Sequence, residues 1–317
     1  MTTSATPPPS ADSTVLGAIP GPADVAAAAE RIGPYIRRTP LLRAEVDGRP
    51  LVFKLEHLQH TGSFKLRGAL NALLATELPQ QVITASGGNH GLAVATAAAL
   101  LKVPATVYVP RNVPEGKARR ISATGAQLVR HGDRYAEAAA AASRQATATG
   151  ATYVPAYDDP AVVAGQGTAA AEVIAEVPEV DAVAIAVGGG GLAAGTALAA
   201  GNARTTVGVE PQGCPTLHDA LAAGMPVDAA VNSVAASALG ATRVGAVPFA
   251  VLGAYPVRPV LVNDAELLSA RDRLWEEFRL AVEPAAAAAF AAWLAGRVPG
   301  ELSCIMLSGS NTDWSPC

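Results

Sequence analysis

The sequence has few cysteines and few aromatic residues, and it lacks a strong excess of charge of either sign. Its three cysteines, Cys214, Cys304 and Cys317, share no motif spacing, so a disulfide framework is not expected and the reducing cytoplasm is the expected compartment. Lys plus Arg is 23 and Asp plus Glu is 27, which gives a net charge of −4. This balance excludes a nucleic-acid binder that depends on positive charge.

The amino-terminal segment has no Lys or Arg before Arg31, so it lacks the basic start of a secretory signal. Pro, Ser, Thr and Ala dominate residues 1–20, which predicts a disordered tail. Residues 182–200 carry no charge and have the length of a membrane span, but four consecutive glycines oppose a continuous helix, at about 1 kcal/mol each relative to Ala. A strand, a glycine loop and a helix are predicted instead, and no membrane is expected as a partner.

Apolar runs rich in Val and Ile alternate with alanine-rich segments of helical length, which predicts βαβ units. The predicted fold class is α/β, with two open, mostly parallel twisted sheets covered by helices. The predicted strands are Val82–Ala85, Ala105–Val109, Ala126–Val129, Ala151–Val154, Ala182–Val187, Thr205–Val209 and Ser303–Leu307. The predicted helices are Asn89–Leu101, Glu115–Thr124, Arg134–Thr149, Val162–Glu176, Leu192–Ala200, Asp264–Glu277 and a buried helix after Pro284. Four strand–helix units predict a small domain over residues 79–156, with residues 21–78 and 157–317 forming a large one.

Four consecutive glycines, residues 188–191, follow an apolar run and open a predicted helix. Consecutive glycines let the backbone curl until several N–H groups converge, and a helix N-terminus adds positive potential. This combination is typical of a phosphate site, whereas a simple turn without a ligand would need only two glycines. Glu210 follows the next predicted strand and resembles a ribose-binding acid, which leaves a dinucleotide-binding oxidoreductase as an alternative.

Lys65 stands in the first turn of a helix predicted to begin near Phe64, with Ser63 as a candidate cap. The helix dipole disfavours a lysine at this position. The positive field and the apolar neighbours would lower the pKa of Lys65 and make its amine a better nucleophile. The alternative is an ordinary solvated lysine.

Two polar loops follow predicted strands, at residues 84–91 and 307–313. The first places small residues at a helix start, where N–H groups can hold a carboxylate, and Ser86 or Asn89 is a candidate helix cap. An ordinary capped helix start and a terminal turn are the alternatives for the two loops. In open α/β sheets, ligands bind beyond the carboxyl ends of the strands, where these loops and the glycine run are predicted to lie.

In this order, these segments resemble the fold-type II pyridoxal-phosphate enzymes, most closely the serine/threonine dehydratases and serine racemases. The resemblance covers nearly the whole chain after the tail, and the ordered set is far more specific than any one motif. The matching segments are Arg38–Leu41, Lys54–Glu56, Gly62–Ala69, Ala85–His90, Tyr157–Pro160, Gly165–Thr168, Gly188–Gly191, Gly208–Pro211, Glu283–Pro284 and Ser308–Asn311.

The resemblance implies a tryptophan synthase β-like fold, pyridoxal 5'-phosphate as cofactor, a homodimer and roles for some of the matching residues. Lys65 would be the catalytic residue, first holding the cofactor covalently and then removing the Cα proton of the substrate as general base. The implied cofactor-binding residues are Phe64 and Lys65, Asn89 at the phenolic oxygen, Gly188, Gly189, Gly190, Gly191 and Leu192 at the phosphate, and Ser308 at the pyridine nitrogen. The implied substrate-binding residues are Ser86, Gly88, Asn89 and His90, which would hold the substrate carboxylate.

The reaction implied is β-elimination from a β-hydroxy amino acid, L-threonine or L-serine, to a 2-oxo acid and ammonia. Racemases of the family carry a second serine where this chain has Gly87, which cannot transfer a proton, so little or no racemisation is expected. Many members bind a divalent cation through a glutamate and a nearby carboxylate. Glu210 matches the first, but Pro211–Thr216 supplies no second. The chain ends nine residues after Ser308, so the regulatory domain of the biosynthetic threonine dehydratases is expected to be absent.

The same motifs are also compatible with other functions. Within the fold, the alternatives are a dehydratase for 3-hydroxyaspartate or a phenylserine, and a β-replacement enzyme. Arg134 could reach a side-chain carboxylate in the first case, or be solvated at a helix start. A small-molecule sensor on the same scaffold would not need Lys65, and a dinucleotide-binding oxidoreductase would use neither Lys65 nor Ser308.

Overall fold

The computed structural model describes residues 19–312 and Trp314, and within them α-helices and strands alternate along the chain. The strands are β1 (Leu41–Val46), β2 (Arg49–Lys54), β3 (Val82–Ala85), β4 (Ala105–Val109), β5 (Gln127–Arg130), β6 (Thr152–Tyr153), β7 (Ala182–Ala186), β8 (Thr205–Pro211), β9 (Val257–Val262) and β10 (Ser303–Met306). The helices are α1 (Pro22–Ile32), α2 (Lys65–Leu74), α3 (Asn89–Leu101), α4 (Glu115–Ser122), α5 (Tyr135–Thr149), α6 (Pro160–Glu176), α7 (Gly191–Ala200), α8 (Thr216–Ala223), α9 (Ala236–Leu239), α10 (Ala246–Ala254), α11 (Asp264–Phe278) and α12 (Pro284–Leu294). The predicted tail over residues 1–20 lies outside the described residues, except for its last two positions.

The large sheet has six strands in the order β1-β2-β10-β7-β8-β9. All neighbouring strands are parallel except β1 and β2, which form an antiparallel hairpin. The hairpin turns at Asp47 and Gly48, whose φ angles of 51° and 72° lie in the left-handed region. Every residue of the central strands β7 and β10 is buried, as expected for parallel strands with helices on both faces.

The small sheet has four parallel strands in the order β5-β4-β3-β6, all drawn from residues 82–153. The predicted α/β fold with two mostly parallel sheets is therefore confirmed. The domain boundaries at residues 79 and 156 stay a prediction.

The alanine and glycine content allows helices to pack closely beside the large sheet. Helices α6 and α7 approach so closely that a Cβ at Gly195 would lie 2.5 Å from both the Gly167 nitrogen and the Val163 carbonyl oxygen. Larger side chains at this crossing would push the helices apart. Within residues 19–312, none of the helices combines the length and the apolar character that crossing a bilayer requires.

The sequence prediction is wrong for some element bounds. The predicted strand Ala151–Val154 shrinks to the two residues of β6, and the strand predicted from Ala126 begins one residue later. Arg134 precedes α5 as its N-cap residue instead of lying within the helix. Strands β1, β2 and β9 and helices α1, α8, α9 and α10 were not predicted, because their apolar runs are short or interrupted by charged residues and proline.

Candidate active site

A cavity of about 470 Å³ lies where loops from the two sheets meet. Strands β2, β10 and β7 are parallel neighbours, so their carboxyl ends meet at one edge of the large sheet. Each of the three is followed by a segment that lines the cavity, and so is β3 of the small sheet. These segments are residues 64–65 after β2, Ser308 after β10, residues 187–193 after β7 and residues 86–90 after β3.

Lys65 is the first residue of α2, and its amine lies in this cavity. Its Nζ donates a hydrogen bond of 2.9 Å to the carbonyl of Ala156 and lies 5.0 Å from the centre of the Phe64 ring. Burial lowers the pKa of Lys65 to about 8, although the Glu283 carboxylate acts in the opposite direction. Of the four lysines in the sequence, only Lys65 and Lys117 line the cavity. Lys65 is thus a half-buried lysine whose desolvated amine has increased nucleophilicity near neutral pH.

The start of α2 is fixed by backbone contacts and not by the predicted Ser63 cap. Phe64 occupies the N-cap position, and the buried Ser63 hydroxyl makes no hydrogen bond to any described residue. Instead, Ser63 pairs with Gly309 through an isolated antiparallel bridge, and the Phe64 N–H donates to the Ser308 carbonyl over 3.1 Å. These contacts bring the loop after β10 next to the helix that carries Lys65.

Within the four-glycine turn, residues 188–191, the two middle glycines are packed too tightly to accept side chains. Gly190 has a φ of +91°, and a Cβ there would lie 2.8 Å from Val244 Cγ2. A Cβ at Gly189 would overlap the Tyr157 ring. Helix α7 begins at the last of the four glycines, and within the described part of the chain the N–H groups of the first three donate no hydrogen bond. Unpaired donors at a helix N-terminus are an arrangement suited to an anion.

The loop from Ser86 to Asn89 joins β3 to α3. Gly88 occupies the N-cap position, so neither Ser86 nor Asn89 caps the helix as the sequence had suggested. The Ser86 hydroxyl instead accepts a hydrogen bond of 3.1 Å from the Gly88 N–H. The first N–H groups of α3 therefore receive no side-chain cap and are available at the cavity wall.

The His90 ring is engaged within the protein. Its Nε2 lies 2.9 Å from Thr84 Oγ1 and 3.0 Å from the Val154 carbonyl oxygen. Burial lowers the pKa of His90 to about 3, helped by the nearby charge of Lys65, so the ring is neutral at physiological pH. A contact between His90 and a substrate carboxylate would therefore use its backbone N–H.

Asn89 is held from both ends of its amide by residues that come from distant parts of the sequence. Its Nδ2 donates to Glu283 Oε1 over 2.8 Å, and its Oδ1 accepts from Asn311 Nδ2 over 2.9 Å. Burial raises the pKa of Glu283 to about 7, against the influence of Asn89 and of two lysines. Sequence reasoning gave neither Glu283 nor Asn311 a role. The sequence does contain a signal for Glu283. It is an acidic residue directly before Pro284, which begins a buried helix.

Two predicted candidates lie outside the cavity. Arg134 has a side chain that is 82% exposed and pairs with Glu137 at 3.2 Å, which agrees with a solvated arginine at a helix start. The buried Glu210 carboxylate accepts hydrogen bonds from the first turn of α8, so it is not available to a ribose. Within residues 19–312, no cluster of three His, Cys, Asp or Glu side chains is arranged to hold a metal ion.

Two further walls complete the cavity, and the second overlaps residues 233–240, a loop expected from the sequence to influence side-chain specificity. One comes from the small sheet and includes Val113, Lys117 and Tyr135. The other is the segment 236–242, which contains α9. Side chains on these walls surround the space that remains beside Lys65, so they are the positions from which substrate selectivity would arise.

Comparisons with known proteins agree with this geometry. A family model described as pyridoxal-phosphate dependent enzyme matches residues 32–309. L-threonine ammonia-lyase of Geobacter sulfurreducens is 39% identical over 297 residues, covering 90% of this chain and 74% of that protein. L-threo-3-hydroxyaspartate ammonia-lyase of Saccharomyces cerevisiae is 35% identical over 308 residues, covering 93% and 94%. The solved structure of a threonine deaminase from T.th. matches with a TM-score of 0.88 at 36% identity, covering 94% of this chain and all of that one.

The matched region contains both sheets and every segment that lines the cavity. The chain therefore belongs to the fold-type II pyridoxal-phosphate-dependent enzymes, and within that family it is an ammonia-lyase that acts by β-elimination.

Proposed function

We propose that this lyase removes water from L-threonine, L-serine or both, and releases a 2-oxo acid and ammonia. The observation that carries the proposal is the buried amine of Lys65, with its lowered pKa, in one cavity with the four-glycine turn. The similarity to an L-threonine ammonia-lyase over most of both chains supports threonine. The similarity to an L-threo-3-hydroxyaspartate ammonia-lyase supports 3-hydroxyaspartate as the second candidate.

The residues present fit the family's cofactor. The four-glycine turn offers unpaired N–H groups and has no room for side chains at Gly189 and Gly190, as suits a cradle for a phosphate. When bound, the cofactor supplies an electron sink that stabilises negative charge at the substrate Cα. The residues that would hold it are Gly188–Gly191 and Leu192 at the phosphate, Lys65 at the aldehyde carbon, Asn89 at the phenolic oxygen, Ser308 at the ring nitrogen and Phe64 beside the ring.

Lys65 would also act on the substrate as general base. Desolvation of its Nζ favours the uncharged amine, which would accept the proton from the substrate Cα. The hydrogen bond from Nζ to the Ala156 carbonyl shows that this amine has a fixed acceptor in the cavity. The backbone carbonyl of Ala156, shortly after β6, would therefore position the amine.

The substrate carboxylate would bind at the start of α3. The N–H groups of Asn89 and His90 lie there without side-chain caps, and the Ser86 hydroxyl, which accepts the Gly88 N–H, is adjacent. The amide of Asn89 is held by Glu283 and Asn311, so the loop is presented in one orientation. This arrangement would place the substrate Cα between the carboxylate site and Lys65.

The proposal is tested by product analysis of the purified holoenzyme with L-threonine, L-serine, L-threo-3-hydroxyaspartate and L-threo-phenylserine. We expect 2-oxobutanoate or pyruvate with equimolar ammonia, and a kcat/KM for threonine or serine at least about ten-fold above that for the other two, a difference of about 1.4 kcal/mol. Added sulfide should yield no new amino acid, since the proposal is elimination and not β-replacement. A clear preference for 3-hydroxyaspartate would replace the proposed substrate with the second candidate.

The lowered pKa of Lys65 predicts how cofactor loading depends on pH. Only the uncharged amine can attack the cofactor aldehyde, so the rate of covalent loading of cofactor-free protein should rise about ten-fold per pH unit below pH 8 and level off above it. A lysine with an ordinary pKa near 10.4 would give a rate that still rises between pH 8 and 10. Stopped-flow absorbance after mixing with pyridoxal 5'-phosphate measures this rate, and a continued rise through pH 9 would contradict the buried setting.

A further prediction concerns Gly87 and the choice between elimination and racemisation. A Cβ at this position would lie 2.6 Å from Val113 Cγ2, so a serine here needs the valine to move. We expect Gly87→Ser with Val113→Ala to form D-serine from L-serine at least about ten-fold faster than Gly87→Ser alone, because only the double variant has room for a second proton-transfer group. Chiral chromatography measures the product, and Val113→Ala alone is the control. Abundant D-serine from the unaltered enzyme would refute the role given to Gly87.

A further inference from the structure

Glu210 stands at the end of β8 and caps a helix that lacks a cap of its own. The residue before α8 is Pro215, which offers no side-chain acceptor to the first turn. The Glu210 carboxylate fills this place, because it accepts 2.7 Å and 2.9 Å hydrogen bonds from the N–H groups of Leu217 and His218. The Glu210 side chain is fully buried, so these contacts are not shared with solvent.

Thr216, the first residue of α8, connects this cap to the four-glycine turn. Its hydroxyl lies 2.8 Å from Glu210 Oε1 and 2.7 Å from the carbonyl oxygen of Gly188. A hydroxyl carries one proton, so it donates to one of these acceptors at a time. Thr216 is also fully buried. Gly188 is the first residue of the turn, so the hydroxyl braces the turn against the base of α8.

This donor set does not fit the divalent cation that the family resemblance implied for Glu210. A hard cation needs several oxygen ligands, with carboxylates to balance its charge. Here the carboxylate of Glu210 already accepts two N–H groups and lies 2.8 Å from the Thr216 hydroxyl. The segment after β8 supplies no second carboxylate before Asp219, whose carboxylate contacts the His218 ring instead.

We propose that Thr216 and the first turn of α8 take the place of a cation in this chain, bracing the four-glycine turn so that cofactor binding requires no divalent metal. Thr216 is a positioning residue in this proposal, since it acts on the cofactor only through Gly188. The inference rests on the proposed role of the four glycines in holding the phosphate. It does not depend on which amino acid is the substrate.

The first test measures the unaltered protein. The dissociation constant for pyridoxal 5'-phosphate is obtained by absorbance titration of cofactor-free protein, in EDTA and then with MgCl₂ or CaCl₂ added. The melting temperature of the cofactor-free protein is recorded under the same conditions. We expect the dissociation constant to change less than about two-fold and the melting temperature to stay constant, because no cation ligand set is present among the residues around Glu210. Weaker cofactor binding in EDTA that either cation restores would overturn the proposal.

The second test compares four variants. Thr216→Val removes the hydroxyl with little change of shape, and we expect it to weaken cofactor binding about ten-fold because a buried carbonyl or carboxylate loses its partner. Thr216→Ser keeps the hydroxyl and should bind within about three-fold of the unaltered protein. Thr196→Val is the matched control, since Thr196 is an equally buried threonine on α7 whose hydroxyl has no partner among the described residues. Gly190→Ala obstructs the turn itself and should weaken binding at least as much as Thr216→Val.

The outcomes separate this inference from the proposed function. Weaker binding in Thr216→Val and Gly190→Ala, with Thr216→Ser and Thr196→Val unaffected, supports the brace. Weaker binding in Gly190→Ala alone overturns the brace and leaves the cofactor site in place. If neither Gly190→Ala nor Thr216→Val weakens binding, the four-glycine turn does not hold the phosphate, and the inference falls with the proposed site.

Discussion

Lys65→Ala is expected to lower lyase activity by about 10³-fold or more and to remove the visible absorption of the covalently held cofactor. The variant loses both the attachment point and the base that removes the Cα proton, and general-base catalysis alone contributes roughly 10²- to 10⁴-fold. The fold should survive, since burial penalises the charged amine and its removal relieves that penalty. Initial rates of 2-oxo acid formation, absorbance spectra and melting temperature are measured on one preparation.

A matched control is available on the surface of the same protein. Lys102 is an exposed lysine that follows α3 and does not line the cavity. Lys102→Gln should retain the absorption and the activity within about two-fold, as expected for an exposed charge distant from the site. A Lys65→Ala protein that keeps substantial lyase activity would show that another group removes the proton.

Arg67→Met is expected to destabilise the fold by about 3–5 kcal/mol, the cost of removing one partner from a buried ion pair. The Arg67 side chain is fully buried and lies two residues after Lys65 in α2. Its guanidinium contacts Glu56 at 2.7 and 2.8 Å and Glu172 at 2.8 and 2.9 Å. Burial opposes ionisation of Glu56, but the charge of Arg67 and its hydrogen bonds hold the pKa of that carboxyl below its usual range.

The network is balanced only while Arg67 is present. Lys54 contacts Glu172 at 2.5 Å and lies 4.0 Å from Glu56, so two cations face two carboxylates. After Arg67→Met a single buried cation would face both carboxylates. Urea unfolding of the cofactor-free protein measures the loss in stability.

An exposed ion pair provides the comparison for this variant. Arg38 pairs with Glu176 at 2.8 Å while 58% of its side chain is exposed, and Arg38→Met should cost less than about 1 kcal/mol. If Arg67→Met and Arg38→Met lower the free energy of unfolding equally, the buried ion pairs do not hold α2 in place. A selective loss in Arg67→Met would show that the helix carrying Lys65 depends on this charge cluster.

The loops after β3, β7 and β10 could be predicted because each follows a short parallel strand that is buried throughout. The bounds of β3, β4 and α3 agree with the prediction, and the glycine turn lies between β7 and α7 as expected. In parallel sheets, strand ends and helix starts fall at the same edge, so locating the strands also locates the loops. The family resemblance added the order of the motifs, which no single loop supplied.

The antiparallel hairpin and the edge strand were missed for local reasons. Strand β1 is only partly buried, so its residues do not form a continuous apolar run, although Asp47-Gly48 is a typical hairpin turn. Strand β9 contains Arg258 and Pro259 and pairs only with β8, as edge strands with proline do.

Contacts within the site between residues distant in sequence could not be predicted. Asn89 contacts Glu283 and Asn311, which are 194 and 222 residues away in the sequence, and nothing local to Asn89 indicates either partner. The Ser63 cap failed for a similar reason, since pairing with Gly309 sets the backbone at the start of α2. Local sequence rules describe one element at a time, whereas these contacts join elements more than 190 residues apart.

The decisive measurement identifies the lysine to which the cofactor is covalently attached. The purified holoenzyme is reduced with borohydride, digested and analysed by mass spectrometry for the phosphopyridoxyl group. The sequence has four lysines, and Lys117 also lines the cavity. Lys117 is therefore a second possible attachment site, which the experiment distinguishes from Lys65. We expect the group on Lys65 alone, whereas its presence on Lys117 or its absence from Lys65 would contradict the assignment of Lys65 as the attachment site.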